Sequence, residues 1–239
     1  MLVSFVKGVP ALFVRKERVL VVGDLHVGLE LKFKEKGIHF QKATEKLAES
    51  ILATCDKVGA KGIVLLGDVK ESITYPKFAE LMELKKFFSM MKGVDVRIAK
   101  GNHDGNLEKV LKDLGFGIGV EREILLKDVS MLHGNAWPSQ EAMQRKYLVC
   151  AHGHFAIDVR GKTEKAWVIA KAGLQIRTRY KSYNKNITLV LTPPFNELIL
   201  GTRISDETED YAHFFRQQVF DWKSAKVYGL DKKQYKLNL

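Results

Sequence analysis

The chain is poor in cysteine, long apolar runs and internal repetition, and each absence excludes something. Its 239 residues hold two cysteines, too few for a disulfide framework. Cys55 falls in a helical pattern and Cys150 in a strand pattern, so both read as reduced core residues of a cytoplasmic protein. No apolar run approaches the ~20 residues of a membrane span, and MLVSFVKGVP lacks a signal-peptide pattern, so no membrane partner is expected. Without repeats, low-complexity tracts or a clear linker, the chain reads as one domain over residues 1–239, with residues 205–239 forming a C-terminal helix and basic tail. Gly201 to Asp210 reads as its most flexible stretch.

What is present is ordinary in amount and uneven in sign: 46% hydrophobic, 28% charged, with a formal net charge of +11. Such an excess favours polyanionic partners without bearing on the fold. Its local concentrations are Lys171, Arg177, Arg179, Lys181 and Lys185, and the stretch from Lys223 to Lys236. Most of these charges read as solvated surface; if they serve nucleic acid, the Lys171 to Lys185 cluster is the first candidate contact.

Short β-branched runs at Val19 to Gly23, Ile63 to Gly67, Val94 to Ala99, Val129 to Leu132, Tyr147 to Cys150, Ala166 to Ala170 and Ile187 to Leu191 predict strands. Leu47, Ile51, Leu52, Cys55 and Val58 recur at helical spacing, as do Phe78, Leu81, Met82, Leu84, Phe88 and Met91. A third helix is expected from about Leu107 to Leu114, capped by Asn106, and a last one near Tyr211 to Trp222, after the acidic segment Ser205 to Asp210. Alternation in the first half argues a largely parallel sheet with helical crossovers; the strand-rich second half argues a second sheet packed on it.

Ligand-type residues stand just after these strands: Asp24 and His26, Asp68, Asn102-His103-Asp104, His133, and His152 and His154. The carboxyl ends of parallel strands converge on one crevice, so residues scattered over the chain can share one small volume. Five of the seven histidines fall in these motifs, each with a glycine close by. Carboxylate, carboxamide and imidazole together suit borderline divalent metals rather than a structural zinc site. His39 and His213 fall outside the pattern and read as surface or core residues.

Asp24-x-His26, Gly67-Asp68, Gly101-Asn102-His103-Asp104, His133-Gly134 and His152-x-His154, in that order, resemble the signature of calcineurin-like metallophosphoesterases. One departure is Ala151, where glycine usually precedes the last His-x-His; it matters only if that backbone needs a positive φ. Leu191-Thr-Pro-Pro-Phe-Asn196 and Gly201-Thr-Arg203 resemble the compact branch related to the SbcD-type repair nuclease and ligase-associated phosphoesterases. The resemblance implies an α/β fold, two packed mixed β-sheets flanked by helices in a four-layer α-β-β-α sandwich. It implies one divalent metal ion on Asp24, His26 and His154, and a second on Asn102, His133 and His152, with Asp68 bridging. Manganese is the first expectation; iron, zinc, nickel and cobalt are alternatives. His103 would be the general acid or charge stabiliser, oriented by Asp104, and a metal-bound hydroxide the nucleophile.

Crossovers fill the intervals between motifs and leave little room for a cap domain, so an open site is expected. With the basic surface this favours phosphodiesters in DNA or RNA, or a nucleotide. The alternative is a phosphomonoesterase or small-nucleotide phosphodiesterase. A non-catalytic scaffold would be expected to lose a ligand or the histidine at position 103, and every position is filled. Arg203 could grip a phosphate or pair with an acidic neighbour.

Overall fold

The structure is a computed structural model that describes residues 2–204 and 213–236, without the side chain of His213. The first sheet joins β1 (Val3–Phe5), β2 (Leu12–Val14), β3 (Val19–Val22), β4 (Gly62–Leu66), β5 (Asp95–Ala99) and β6 (Val120–Glu121) in sequence order. β1 to β3 form an antiparallel meander, and β3 to β6 run parallel. The helices α1 (Leu29–Glu35), α2 (Ala43–Val58), α3 (Phe78–Met90) and α4 (Leu107–Asp113) lie in the crossovers.

The second sheet contains β7 (Ile124–Leu125), β8 (Val129–Leu132), β9 (Tyr147–Cys150), β10 (Phe155–Val159), β11 (Lys162–Lys171), β12 (Thr188–Leu191) and β13 (Thr202–Arg203), in the order β13-β10-β11-β12-β9-β8-β7. β14 (Lys226–Gly229) joins it along β11, and β15 (Gln234–Tyr235) pairs with β14. Two short helices, α5 (Ile176–Arg179) and α6 (His213–Arg216), accompany this half.

Side chains alternate across each strand, and that alternation builds the layers. Leu20, Val22, Ile63 and Leu65 pack with Ile51 and Cys55 of α2, Leu84, Phe87 and Phe88 of α3, and Val110 of α4. Their neighbours Val21, Val64 and Leu66 face the other way, onto Val129, Met131, Val149, Trp167 and Val190 of the second sheet. That sheet's far face, with Leu148, Cys150 and Leu189, is covered by Phe214, Phe215, Phe220 and Trp222. Phe5 stacks on buried Trp167 with centroids 4.3 Å apart. The stack ties β1 to the opposite sheet, adding about 0.5–1.5 kcal/mol beyond burial. The result is two mixed sheets flanked by helices.

Three expectations are corrected. Among the described residues the last helix is His213–Arg216, ending well before the expected Trp222: Gln218 takes φ +52, and the chain turns so that Phe220 bridges to Ala172. Phe214, Phe215, Phe220 and Trp222 cover the sheet in this arrangement. Residues 205–212 and 237–239 lie outside the described residues, and with them the acidic segment. The described residues beyond Lys223 form β14 and β15 where a tail was expected, anchored by fully buried Val227 with the lysines outward. Asn106 makes no side-chain capping bond to α4; the Leu107 amide bonds the Asp104 carbonyl instead. Among the described residues, no helix is long and apolar enough to cross a membrane.

Candidate metal centre

Each sequence motif occupies the turn leaving a parallel strand. Asp24 and His26 follow β3, Asp68 follows β4, Asn102 to Asp104 follow β5, His133 follows β8, and His152 and His154 follow β9. Asp24, Asp68, His26 and His133 are buried; His152, His154 and His103 are half-buried. Asn102 is the exception, exposed on the β5 loop. Asp24, His26, Asp68, His152 and His154 have φ between +43° and +68°, a region costing about 1–3 kcal/mol per non-glycine residue and concentrated at functional sites. Ala151 is outside that region, so alanine suffices there. Its Cβ lies where a Cβ on Gly23 would come within 2.9 Å.

Two ligand groups result. Asp24, His26 and His154 present ligand atoms within 4.8 Å of one another, as do Asp68, His133 and His152. Asp68 Oδ2 stands between the groups, 3.2 Å from His133 Nε2 and 3.7 Å from His26 Nε2. His152 Nδ1 lies 3.1 Å from His133 Nε2. Asp24 Oδ2 and His26 Nε2 are buried without a hydrogen-bond partner, and the buried His154 Nε2 meets only Asp24 Oδ1, at 3.1 Å. Unpaired buried polar atoms are costly, and buried ligand atoms gathered in one volume fit a cation. The residues present therefore suit divalent metal ions.

The charges agree. Burial would raise the Asp24 carboxyl, but His154, His133 and His26 together hold it low. Asp68 is likewise lowered against burial, chiefly by His133. Burial would lower His133, yet the Asp68 hydrogen bond and both carboxylates raise it to about 9. His152 falls to about 4 through burial and the neighbouring His133 charge.

The expected role of Asp104 is corrected. Its fully buried carboxylate accepts from the Val69 amide at 3.0 Å and the Gly101 amide at 2.8 Å, clamping the β4 and β5 loops together. No oxygen is directed at the His103 ring, whose Nδ1 bonds the carbonyl of Glu71. The His103 amide donates to Asp68 Oδ1 at 2.8 Å. Such close approach requires glycine at 101, where a Cβ would lie 2.2 Å from the Asp68 amide.

Sequence reasoning missed Glu71. Its Oε2 lies 2.7 Å from His26 Nδ1, which leaves Nε2 for the centre. Lys32 pairs with its other oxygen. His26, Glu71 and His103 form a third group of potential ligands within 4.8 Å, but the Glu71 bond to Nδ1 makes it a support for His26. The only local signal was its place three residues after Asp68.

The Leu191 to Arg203 stretch braces the site. The Phe195 amide bonds Gly23 O, Asn196 Nδ2 donates to Leu25 O at 2.7 Å, and the Thr202 amide bonds His154 O at 2.7 Å. Arg203 pairs with Asp158 at 3.2 Å and with Thr163. Strand register puts the basic cluster elsewhere. Lys171 pairs with Thr188, which pairs with Tyr147 at the start of β9, whereas the ligands follow Cys150 at its end.

A sequence-family model described as calcineurin-like phosphoesterase matches residues 17–222. The crystal structure of the Pseudomonas putida nuclease MPE superposes with TM-score 0.62 at 17% identity, covering 95% of this chain and 92% of that one. Yfce, a phosphoesterase from E. coli, gives TM-score 0.42 at 14% identity, covering 91% and 96%. No curated protein sequence matches the chain.

Proposed function

The chain belongs to the calcineurin-like phosphoesterases, metal-dependent enzymes of phosphoester hydrolysis, and from this we propose a two-metal phosphodiesterase acting on nucleic acid, with manganese as its metal. The observation that carries it is the convergence of buried ligand atoms on Asp24, His26 and His154, with Asp24 Oδ2 and His26 Nε2 lacking a hydrogen-bond partner, beside Asp68, His133 and His152. Asp24, His26 and His154 would hold one ion and Asn102, His133 and His152 the other, with Asp68 shared. Mixed oxygen and imidazole donors suit manganese. Divalent ions there would polarise the phosphoryl group and acidify water towards neutral pH.

The chain's own part is orientation and proton transfer. With Nδ1 committed to the Glu71 carbonyl, the other nitrogen of His103 is available to donate a proton to the leaving oxygen. Asp104 holds the two loops that carry Asp68 and His103. The net charge of +11 favours a polyanion, and a nuclease is among the proteins sharing the fold. Two free, buried thiols fit a cytoplasmic setting.

The test is hydrolysis of single-stranded and duplex DNA, a nitrophenyl diester and a nitrophenyl monoester, before and after chelation. DNA and diester cleavage should vanish with chelator and return with manganese; preference for the monoester would overturn the diester reading. His103→Ala should keep both ions and lose about 10²–10⁴-fold in turnover on esters with poor leaving groups, whereas Asp68→Asn should lose metal. Equal metal loss in the two variants would contradict these roles.

A further inference from the structure

Lys70 is fully buried, a place lysine almost never takes unpaired. Its ammonium donates to the carbonyls of Ser72, Ile73 at 3.3 Å and Thr74 at 3.1 Å, and across the gap to the carbonyl of His103. Burial lowers its pKa, while Asp104, Glu80, Asp68 and Glu71 supply the opposing charge. Desolvating an ammonium costs several kcal/mol, and closing a surface turn does not need one.

What the turn does is place Glu71. Glu80, from α3, accepts from the Glu71 amide at 3.1 Å, the Ser72 amide at 2.9 Å and the Ser72 hydroxyl. Held between Lys70 and Glu80, Glu71 serves two imidazoles at once. Its carboxylate takes His26 Nδ1, and its carbonyl takes His103 Nδ1. The edge-on His26 and His103 rings have centroids 4.8 Å apart, so a small shift of this turn moves both.

We propose that Lys70 is a positioning residue for the reaction: by tying the His103 carbonyl to the Ser72–Thr74 turn, it keeps the His103 ring on the Glu71 carbonyl with Nε2 facing the substrate. This rests on the reading of His103 as proton donor. Misplacement by about 1 Å can cost 10²-fold in rate, so the effect should appear in turnover rather than in metal or substrate binding.

The experiment compares Lys70→Met, His103→Ala and the double variant, each manganese-loaded with metal content measured. Lys70→Met should keep both ions and hold KM within about threefold, while kcat on a poor leaving group falls about 10- to 100-fold. Nitrophenyl esters, which need less protonation, should lose less. In the His103→Ala background the same change should cost under about threefold. Additive losses, or equal losses on both ester types, would overturn the proposal. Nitrogen NMR of the imidazoles gives a readout that does not need turnover. On zinc-loaded, diamagnetic protein the wild type should show the His103 Nδ1–H hydrogen-bonded to the Glu71 carbonyl, and Lys70→Met should lose that signature; an unchanged spectrum overturns the proposal. Should Lys70→Met fail to fold, Glu80→Ala removes the acceptor of the Glu71 and Ser72 amides and so releases the other end of the turn; it must shift the same resonances and kcat in the same direction, or the proposal fails. A wild type inert on every ester would sink the proposed function instead, with the spectra still judging Lys70.

Discussion

Two imidazoles at the centre are committed by the bond their other nitrogen makes. His26 gives Nδ1 to Glu71, and His133 gives Nδ1 to the Leu66 carbonyl at 3.0 Å, so both turn Nε2 inward. With His133 raised to about 9 by Asp68 and the carboxylates against burial, its sign of linkage is fixed. In the metal-free protein the imidazolium contributes stability that is fully present below the unfolded value of about 6.5 and lost as pH rises towards 9. Metal needs the neutral ring, so binding tightens over the same interval. The rise in Tm on adding manganese should therefore be larger at pH 8.5 than at pH 6, because tighter binding to the folded state raises its stability. Paired thermal scans measure it; a gap that stays constant or shrinks contradicts the assignment of His133 as a ligand.

At the scale of elements, what the sequence made legible was what local pattern encodes. β3, β4, β8 and β9 lie within a residue of the apolar runs that announced them, and α2 and α3 follow their stripes. The turns after those strands were legible because histidine and aspartate are unusual there. Less legible was whatever depends on distant partners. β14 and β15 hide in a lysine-rich stretch because only alternate residues such as Val227 meet the core. Asp104 looked like the partner of its neighbour, yet the fold delivers three amides to it from two loops. Lys70 and Glu71 carried no signal beyond their place just after Asp68. The segment after β12 shows how a brace acts on the centre. Asn196→Ala would leave Leu25 O unsatisfied, at about 1–3 kcal/mol, beside Asp24 and His26. The variant should melt earlier and hold the ion on Asp24, His26 and His154 more weakly, so that metal content falls from two towards one at limiting manganese. Unchanged stability and stoichiometry would show that the brace is idle.

For the whole molecule, the governing fact is that two sheets face each other with their parallel strands ending on the same side. β3, β4 and β5 bring Asp24, Asp68 and His103; β8 and β9 bring His133, His152 and His154. Composition announced a basic protein, but topology decides where the charge stands, and the cluster that begins at Lys171 starts from the end of β11 that lies level with the start of β9, away from the ligands. Any nucleic acid at the centre meets other groups first, among them half-buried His103 and His154. Its reactivity depends on whether the two ligand groups act as one site through Asp68, whose Oδ2 lies within 3.7 Å of both His26 Nε2 and His133 Nε2. The most direct measurement is anomalous scattering at the manganese edge from metal-saturated crystals. Two peaks about 3.5–4 Å apart, both in contact with Asp68, are the predicted result; a single peak, or two peaks that Asp68 does not bridge, would contradict it.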